Sequence, residues 1–266
     1  MALLSGVTLS HKKDGTLYYR SSITYKNKHI SLGSFDTEVL AHEAYQSAER
    51  ILYDLSYKIE DHSPSRSILS FEKWVILLNF RDNGIYFKTP IYLRHRFFLY
   101  YIEEHTVLKF AADDLFYYAN HKIMKRGGHL FVADFGMQVN ILSRYGIKNF
   151  AVPGRDYIFS NGDSTDYRYE NISIINKYYG VQKITVKGLS SYISKIHIRG
   201  DFIIGTYPDE TTAAIAFNKA ANLLTEKGLK KQFSLNYIND LSGKDYMAIY
   251  DHILLPKKIR NYTIKE

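Results

Sequence analysis

The sequence predicts an α+β protein in which two modules, each a three-stranded antiparallel sheet plus one helix, flank a mixed α/β middle segment. Three observations predict it: a long internal repeat, period-two alternation ahead of each copy's turn, and helically spaced alanines behind it.

The repeat runs without a gap. Ile30-Ser31-Leu32-Gly33-Ser34-Phe35, followed by Glu38, Ala41, Ala44, Tyr45, Ala48, Ile51 and Leu52, recurs as Phe202-Ile203-Ile204-Gly205-Thr206-Tyr207 with Glu210, Ala213, Ala216, Phe217, Ala220, Leu223 and Leu224. Upstream, Tyr19, Ser21, Ile23 and Tyr25 correspond to Tyr192, Ser194, Ile196 and Ile198, and Gly6-Val7 to Gly180-Val181. That alternation is the signature of a half-buried strand. Lys26-Asn27-Lys28-His29 and Arg199-Gly200-Asp201 read as hairpin turns into a third strand ending at Gly33 or Gly205. Thr37 and Asp209 are suited to accept from free amides at a helix start, and Glu38 and Glu210 suit its first turn. The alanines of each copy share one helical face, whose small side chains allow close approach to the sheet.

Length and composition bound the rest. At 266 residues, two or three folding units are expected. A hydrophobic fraction of 45% with 23% charged residues is that of a globular chain. The net charge of +8 favours polyanionic partners. The absence of cysteine excludes disulfides, thiolate catalysis and cysteine-ligated zinc and fits a reducing cytoplasm, with nucleoid association as the expected location. No apolar run is long enough for a membrane span, and the Met1-Ala2-Leu3-Leu4 start is too short for a signal peptide. No membrane partner and no cofactor are expected. The 24 tyrosines suit surfaces that touch polar groups.

With a helix on one side of so small a sheet, the residues between the core positions face outward. In the first copy these are Arg20, Ser22, Thr24, His29 and Ser31; in the second, Ile193, Lys195, His197, Asp201 and Ile203. Turns add Lys12, Lys13, Lys26 and Lys28 in the first copy and Lys183, Lys187 and Arg199 in the second. From Met1 to Phe35 five Lys or Arg stand against one acidic residue. A narrow basic sheet of this kind suits the DNA major groove, with hydroxyl, His and Arg side chains on base edges and Lys on phosphates. The alternative is the solvated basic face of a structural domain.

These segments resemble the DNA-binding domain of the Apetala and ethylene-response-factor family. The resemblance is carried by Tyr19-Arg20-Ser21-Ser22-Ile23, Leu32-Gly33-Ser34-Phe35 and Ala41 to Ala48, and by Tyr192 to Ile196, Ile204-Gly205-Thr206-Tyr207 and Ala213 to Ala221. It implies double-stranded DNA as partner. The family's base-contacting positions map onto Thr8, Ser10, Ser22, Thr24, His29 and Ser31, and onto Gln182, Ile184, Lys195, His197, Asp201 and Ile203. Several of these are Arg or Trp in the plant family, so its target sequence does not transfer.

Between the modules (1–58 and 179–240) lies a segment expected as one middle domain, 67–178, behind a polar boundary at Ile59 to Arg66. Trp74 to Phe80 reads as a short helix, Tyr92 to Ile102 is strongly aromatic, Leu108 to Lys125 reads as a helix stopping at Gly127-Gly128, and His129 to Phe135 alternates like a strand. Within about 150–178, the run from Arg155 to Ile172 is similar to the core of His-Asn-His homing endonucleases, a strand, an Asn-Gly-Asp loop and a helix entered through Glu-Asn-Leu. Asn161-Gly162-Asp163, Asp166, Arg168 and Glu170-Asn171-Ile172 match that frame. Where the resemblance implies a metal ligand and the general-base His, this chain has Ile158 and Phe159, which neither bind a cation nor accept a proton. The core reads as degenerate and non-catalytic. His129 and Asp134 are the remaining candidate base and ligand, and their odd spacing puts them on opposite strand faces.

In the last segment, 241–266, Ser242 to Leu255 reads as one amphipathic helix before the basic Lys257-Lys258-Ile259-Arg260, either a phosphate-contacting tail or a helix packing on a partner subunit. The resulting expectation is a sequence-specific DNA-binding protein, a transcription regulator evolved from a homing-endonuclease scaffold, reading two sites on one duplex or two half-sites as a homodimer. The alternative is an active metal-dependent endonuclease with an atypical site.

Overall fold

The repeat carries into three dimensions strand by strand. The computed structural model describes residues 3–263, so Met1, Ala2 and the last three residues of the C-terminal tail lie outside the described residues. The chain divides into two compact units, Met1–Ile141 with Asp163–Asn171, and Leu142–Gly162 with Ile172–Glu266. The mixed α+β class holds: small antiparallel sheets alternate with helices. Segment 67–178 is shared between the units rather than forming one.

In the first unit, β1 (Val7–His11), β2 (Leu17–Tyr25) and β3 (Lys28–Phe35) form an antiparallel meander, and α1 (Glu38–Tyr53) covers one face. The hairpin turn is tighter than expected. Lys26 and Asn27 alone make it, both at positive φ (45° and 61°), a two-residue turn whose twist matches that of the strands. Ala41, Ala44 and Ala48 are fully buried, Ala44 and Ala48 packing with Ile23, Ile30, Ile51 and Leu52. Helix α2 (Phe71–Asn83) starts at the Ser70 cap, ends at left-handed Gly84 and is buried from Trp74 to Arg81. From it, the Arg81 guanidinium donates to the carbonyls of Ile51 (3.0 Å), Asp54 (2.8 Å) and Tyr57 (2.8 Å), satisfying the open end of α1.

Beyond α2 come two further three-stranded sheets, β4 (Ile91–Leu93), β5 (Phe97–Glu103) and β6 (Thr106–Ala111), then β7 (Ile123–Arg126), β8 (His129–Asp134) and β9 (Met137–Asn140), with α3 (Leu115–Asn120) between them. The helix expected over Leu108 to Lys125 is therefore wrong. Leu108 and Phe110 alternate inward as strand residues, only Leu115–Asn120 is α-helical, behind a 3-10 turn at Ala112–Asp114, and Gly127-Gly128 turns a hairpin instead of stopping a helix. Tertiary packing decides here: Phe110 packs on Phe98 (5.3 Å) of the neighbouring strand, on Tyr118 (4.4 Å) of α3 and on Tyr167 (5.4 Å).

The second unit contains β10 (Tyr157–Phe159) paired with β11 (Ile172–Ile174), then β12 (Val181–Val186), β13 (Leu189–His197), β14 (Asp201–Tyr207) and α4 (Glu210–Glu226), a copy of the first module. Both modules carry a β-bulge at the same place, between Ser21 and Ser22 and between Ser194 and Lys195. Thr37 and Asp209 cap their helices as expected, accepting from Leu40 (3.2 Å) and Thr212 (2.7 Å). Glu38 and Glu210 do more than suit the helix start: each accepts from a backbone N–H of the incoming chain, Leu4 (2.7 Å) and Lys177 (2.8 Å).

The C-terminal segment corrects another expectation. Helix α5 (Gly243–His252) ends three residues before Leu255, and α6 (Lys257–Arg260) follows. Ile253, Leu255 and Ile259 bury into the α4 core of their own module. Asn218 and Asn236 stitch the intervening loop down, Asn218 donating to the Asn236 carbonyl (2.8 Å) and accepting from its N–H (2.7 Å).

Two paired features test the shared construction. A Cβ at Gly6 or Gly180 would sit 2.1 Å from the Tyr45 ring or 2.2 Å from the Phe217 ring, at a φ that already favours glycine. Gly180→Ala is expected to lower unfolding free energy by roughly 2–4 kcal/mol in urea titrations. The Ser21 and Ser194 hydroxyls are both fully buried without a hydrogen-bond partner. Ser194→Ala should raise stability by about 1 kcal/mol, because an unsatisfied hydroxyl is removed at almost no loss of volume.

Candidate nucleic-acid interface

In each module the helix leaves one sheet face open, and the strand register decides which side chains share it. On the first module Arg20 stands between Thr8 and Ser34, Ser10 is opposite Tyr18, Ser22 opposite Ser31, and Thr24 opposite His29. Arg20, Thr24, His29 and Ser31 are exposed, whereas Ser21, Ile23 and Ile30 on the reverse are buried, as the alternation predicts. No carboxylate stands among these face positions. Tyr18, missed from sequence, organises the face: its hydroxyl accepts from Arg20 Nε (3.1 Å) and from a terminal guanidinium nitrogen (2.7 Å). The Ser10 hydrogen bond and the Arg20 cation hold the Tyr18 hydroxyl below the usual phenol range. Extending the alternation one step outward from Arg20 would have found it.

The lysines divide. Lys12 and Lys13 are exposed beside the open face, with Tyr18, Ser34 and Asp36 in the same shallow cleft. Lys26 and Lys28 lean the other way. The Lys26 ammonium reaches the Arg81 carbonyl (3.4 Å) and the Lys28 ammonium lies 5.2 Å from the Tyr86 ring centre, both toward the helix side.

The second face has the same layout and different chemistry. Gln182 stands opposite Ile193, which faces Thr206; Ile184 lies opposite Ser191, Lys195 opposite Ile203, and His197 opposite Asp201. Asp201 accepts from His197 Nδ1 (2.7 Å) and lies 4.0 Å from the Lys195 ammonium, which also donates to Gln182 (3.1 Å). His197 and Lys195 together keep the Asp201 carboxyl below its ordinary range. Lys187 sits at the tip of the β12–β13 turn at φ 52° and is exposed, as is Arg199 in the next turn. Lys183 shares its strand face with buried Val181 and so points to the helix side, although exposed.

The endonuclease-like stretch departs from its expected frame. Tyr169–Asn171 is one 3-10 turn leading into β11, and the chain then enters β12 with no helix between. The matching polar residues hold the loop itself. Asp166, 2% exposed, accepts from Arg168 Nε (2.9 Å) and from its terminal nitrogen (2.6 Å), while the Asn171 amide donates to the Asp166 carbonyl (2.8 Å). Asp134 faces Tyr117 (3.4 Å) and His121 (3.6 Å), not His129. Among the described residues no three His, Asp or Glu side chains are grouped to hold a cation, and no helix is long and apolar enough to cross a membrane.

No protein-family model, curated protein or solved structure matches this chain.

Burial opposes ionisation of Asp166, yet Arg168 and Lys109 outweigh it and hold the carboxyl below its usual range. A depressed carboxylate adds stability that is present above the unfolded value of about 3.9 and lost as pH falls through the folded value. Stability should therefore be flat from pH 7 to about 5 and drop below about 4. Asp166→Asn should cost about 1–3 kcal/mol at pH 7 in denaturant titrations, and should flatten that acid limb.

Proposed function

We propose that this protein binds double-stranded DNA sequence-specifically through the open sheet faces of its two modules, and acts as a transcription regulator derived from a homing-endonuclease scaffold. The observation that carries the reading is the first face: hydroxyls, His29 and a tyrosine-held Arg20 in cross-strand register, with exposed lysines beside them. With strands about 4.8 Å apart, the outer strands of such a sheet lie roughly 10 Å from one another, close to the ~12 Å width of the major groove. Arg20 is fixed in direction before it meets a base, which lowers the ordering cost of binding. Its planar donors suit guanine O6 and N7.

The two modules add through linkage, since engagement of one raises the effective concentration of the other. The loss of general base and ligand at Ile158 and Phe159, with Asn171 and Asp166 committed to their own loop, favours binding over phosphodiester hydrolysis.

Selection from a random duplex pool at moderate salt should yield a defined sequence and a footprint; an unenriched pool would remove the reading. Arg20→Ala should weaken binding to the selected duplex by roughly five- to 150-fold, with an unchanged melting temperature. Lys195→Ala should cost less, its charge being shared with Asp201. Lys12→Ala should lower the slope of log K against log salt by about 0.9.

A further inference from the structure

The two faces differ at equivalent places in one chemical direction. Where the first module has Ser10, Arg20 and Ser31, the second has Ile184, Ile193 and Ile203, each at the same register position relative to the shared bulge. These isoleucines do not close a core. Ile203 is 64% exposed while its neighbour Ile204 is 3% exposed, so the chain buries one and presents the other, and Ile184 and Ile193 are half-buried. Ile184, Ile193 and Ile203 occupy diagonally adjacent positions on successive strands, an oblique apolar stripe across the open face. Leu189, 73% exposed, extends the same parity toward the β12–β13 turn. Polar groups border the stripe in fixed positions. Gln182 lies directly across from Ile193, its amide oxygen accepting from Lys195, and Asp201 draws the charge of His197 and Lys195 to one end.

We infer that the second module reads A·T base pairs, its isoleucine stripe packing on thymine C5 methyl groups while Gln182 hydrogen-bonds adenine, in contrast to the arginine-led first module. This rests on the DNA-binding reading above. Thymine alone presents a methyl in the major groove, and an amide side chain is the matching partner of adenine N6 and N7. Exposed isoleucine has no other favourable contact on a base edge. Duplex DNA is favoured over a protein occupant because the stripe is interrupted by Gln182 and Lys195 and flanked by the exposed Lys187 at the β12–β13 turn. The internal pairing of Lys195 and His197 with Asp201 further lowers the net positive charge available for phosphates, so this face relies on base contact.

The test uses the full chain and the duplex selected from a random pool, synthesised once with thymine and once with deoxyuridine, which pairs identically but lacks the methyl. Replacement is expected to weaken binding about fourfold for each methyl contacted, the roughly 0.8 kcal/mol that burial of one such group contributes. The loss should map to one half of the site, vanish in the Ile193→Ser/Ile203→Ser variant, and persist in Arg20→Ala. Gln182→Ala should relax the preference for adenine at one position. Equal affinity for the thymine and deoxyuridine duplexes overturns the inference while leaving DNA binding intact; a pool with no enriched sequence instead removes the underlying reading. If the isoleucine variant keeps the deoxyuridine effect but sediments as a smaller species than the parent chain, the stripe joins protein copies and the inference is overturned. Circular dichroism of each variant separates these outcomes from misfolding.

Discussion

Close approach of an alanine-faced helix to a three-stranded sheet is the constraint on which each module depends. Ala41, Ala44 and Ala48, and their counterparts Ala213, Ala216 and Ala220, are fully buried because nothing larger would let helix and sheet backbones come so near. The sheet answers with small residues of its own, Ser21 and Ser194, and with glycines under the Tyr45 and Phe217 rings. A serine hydroxyl buried without a partner in both copies shows that volume, not hydrogen bonding, sets the residue there. Since the whole helix-side face is consumed by this packing, the opposite face is left for other work in both modules.

That division separates the packed face of each sheet from its open face. Core positions repeat almost unchanged between the copies, while the open-face positions diverge in charge and polarity: Arg20 against Ile193, His29 against Asp201, Ser31 against Ile203. A substitution on the open face alters no core contact, so two copies of one scaffold can present different chemistry at equal structural cost. Support comes from each unit's own additions. Arg81 closes the end of α1 in the first, and α5, α6 and the Asn218–Asn236 pair cover α4 in the second.

The stretch from Arg155 to Ile172 uses its polar residues to hold its own turn. Asn161 to Asn171 keep polar residues that the resemblance associates with a strand–loop–helix core, yet Asp166, Arg168 and Asn171 bond to one another and to their own loop, and a strand stands where the helix was expected. Buried charge persists there because Arg168 and Lys109 compensate Asp166. Such a network holds the turn.

The sequence by itself determined the repeat, the strand and helix order of both modules, the helix caps and the inward and outward faces of the middle strands, because alternation and helical spacing are written within a few consecutive residues. It misread Leu108 to Lys125, where an aromatic cluster assembled from Phe98, Tyr118 and Tyr167 outweighs local helical preference. Only the tertiary structure decided that Lys26 and Lys28 turn toward the helix side, that Tyr18 holds Arg20, that Asp201 draws in His197 and Lys195, and that Ile253, Leu255 and Ile259 fold back on their own module. Each of these depends on which strands or helices become neighbours, and a register or packing partner set by distant residues leaves no period in the local sequence.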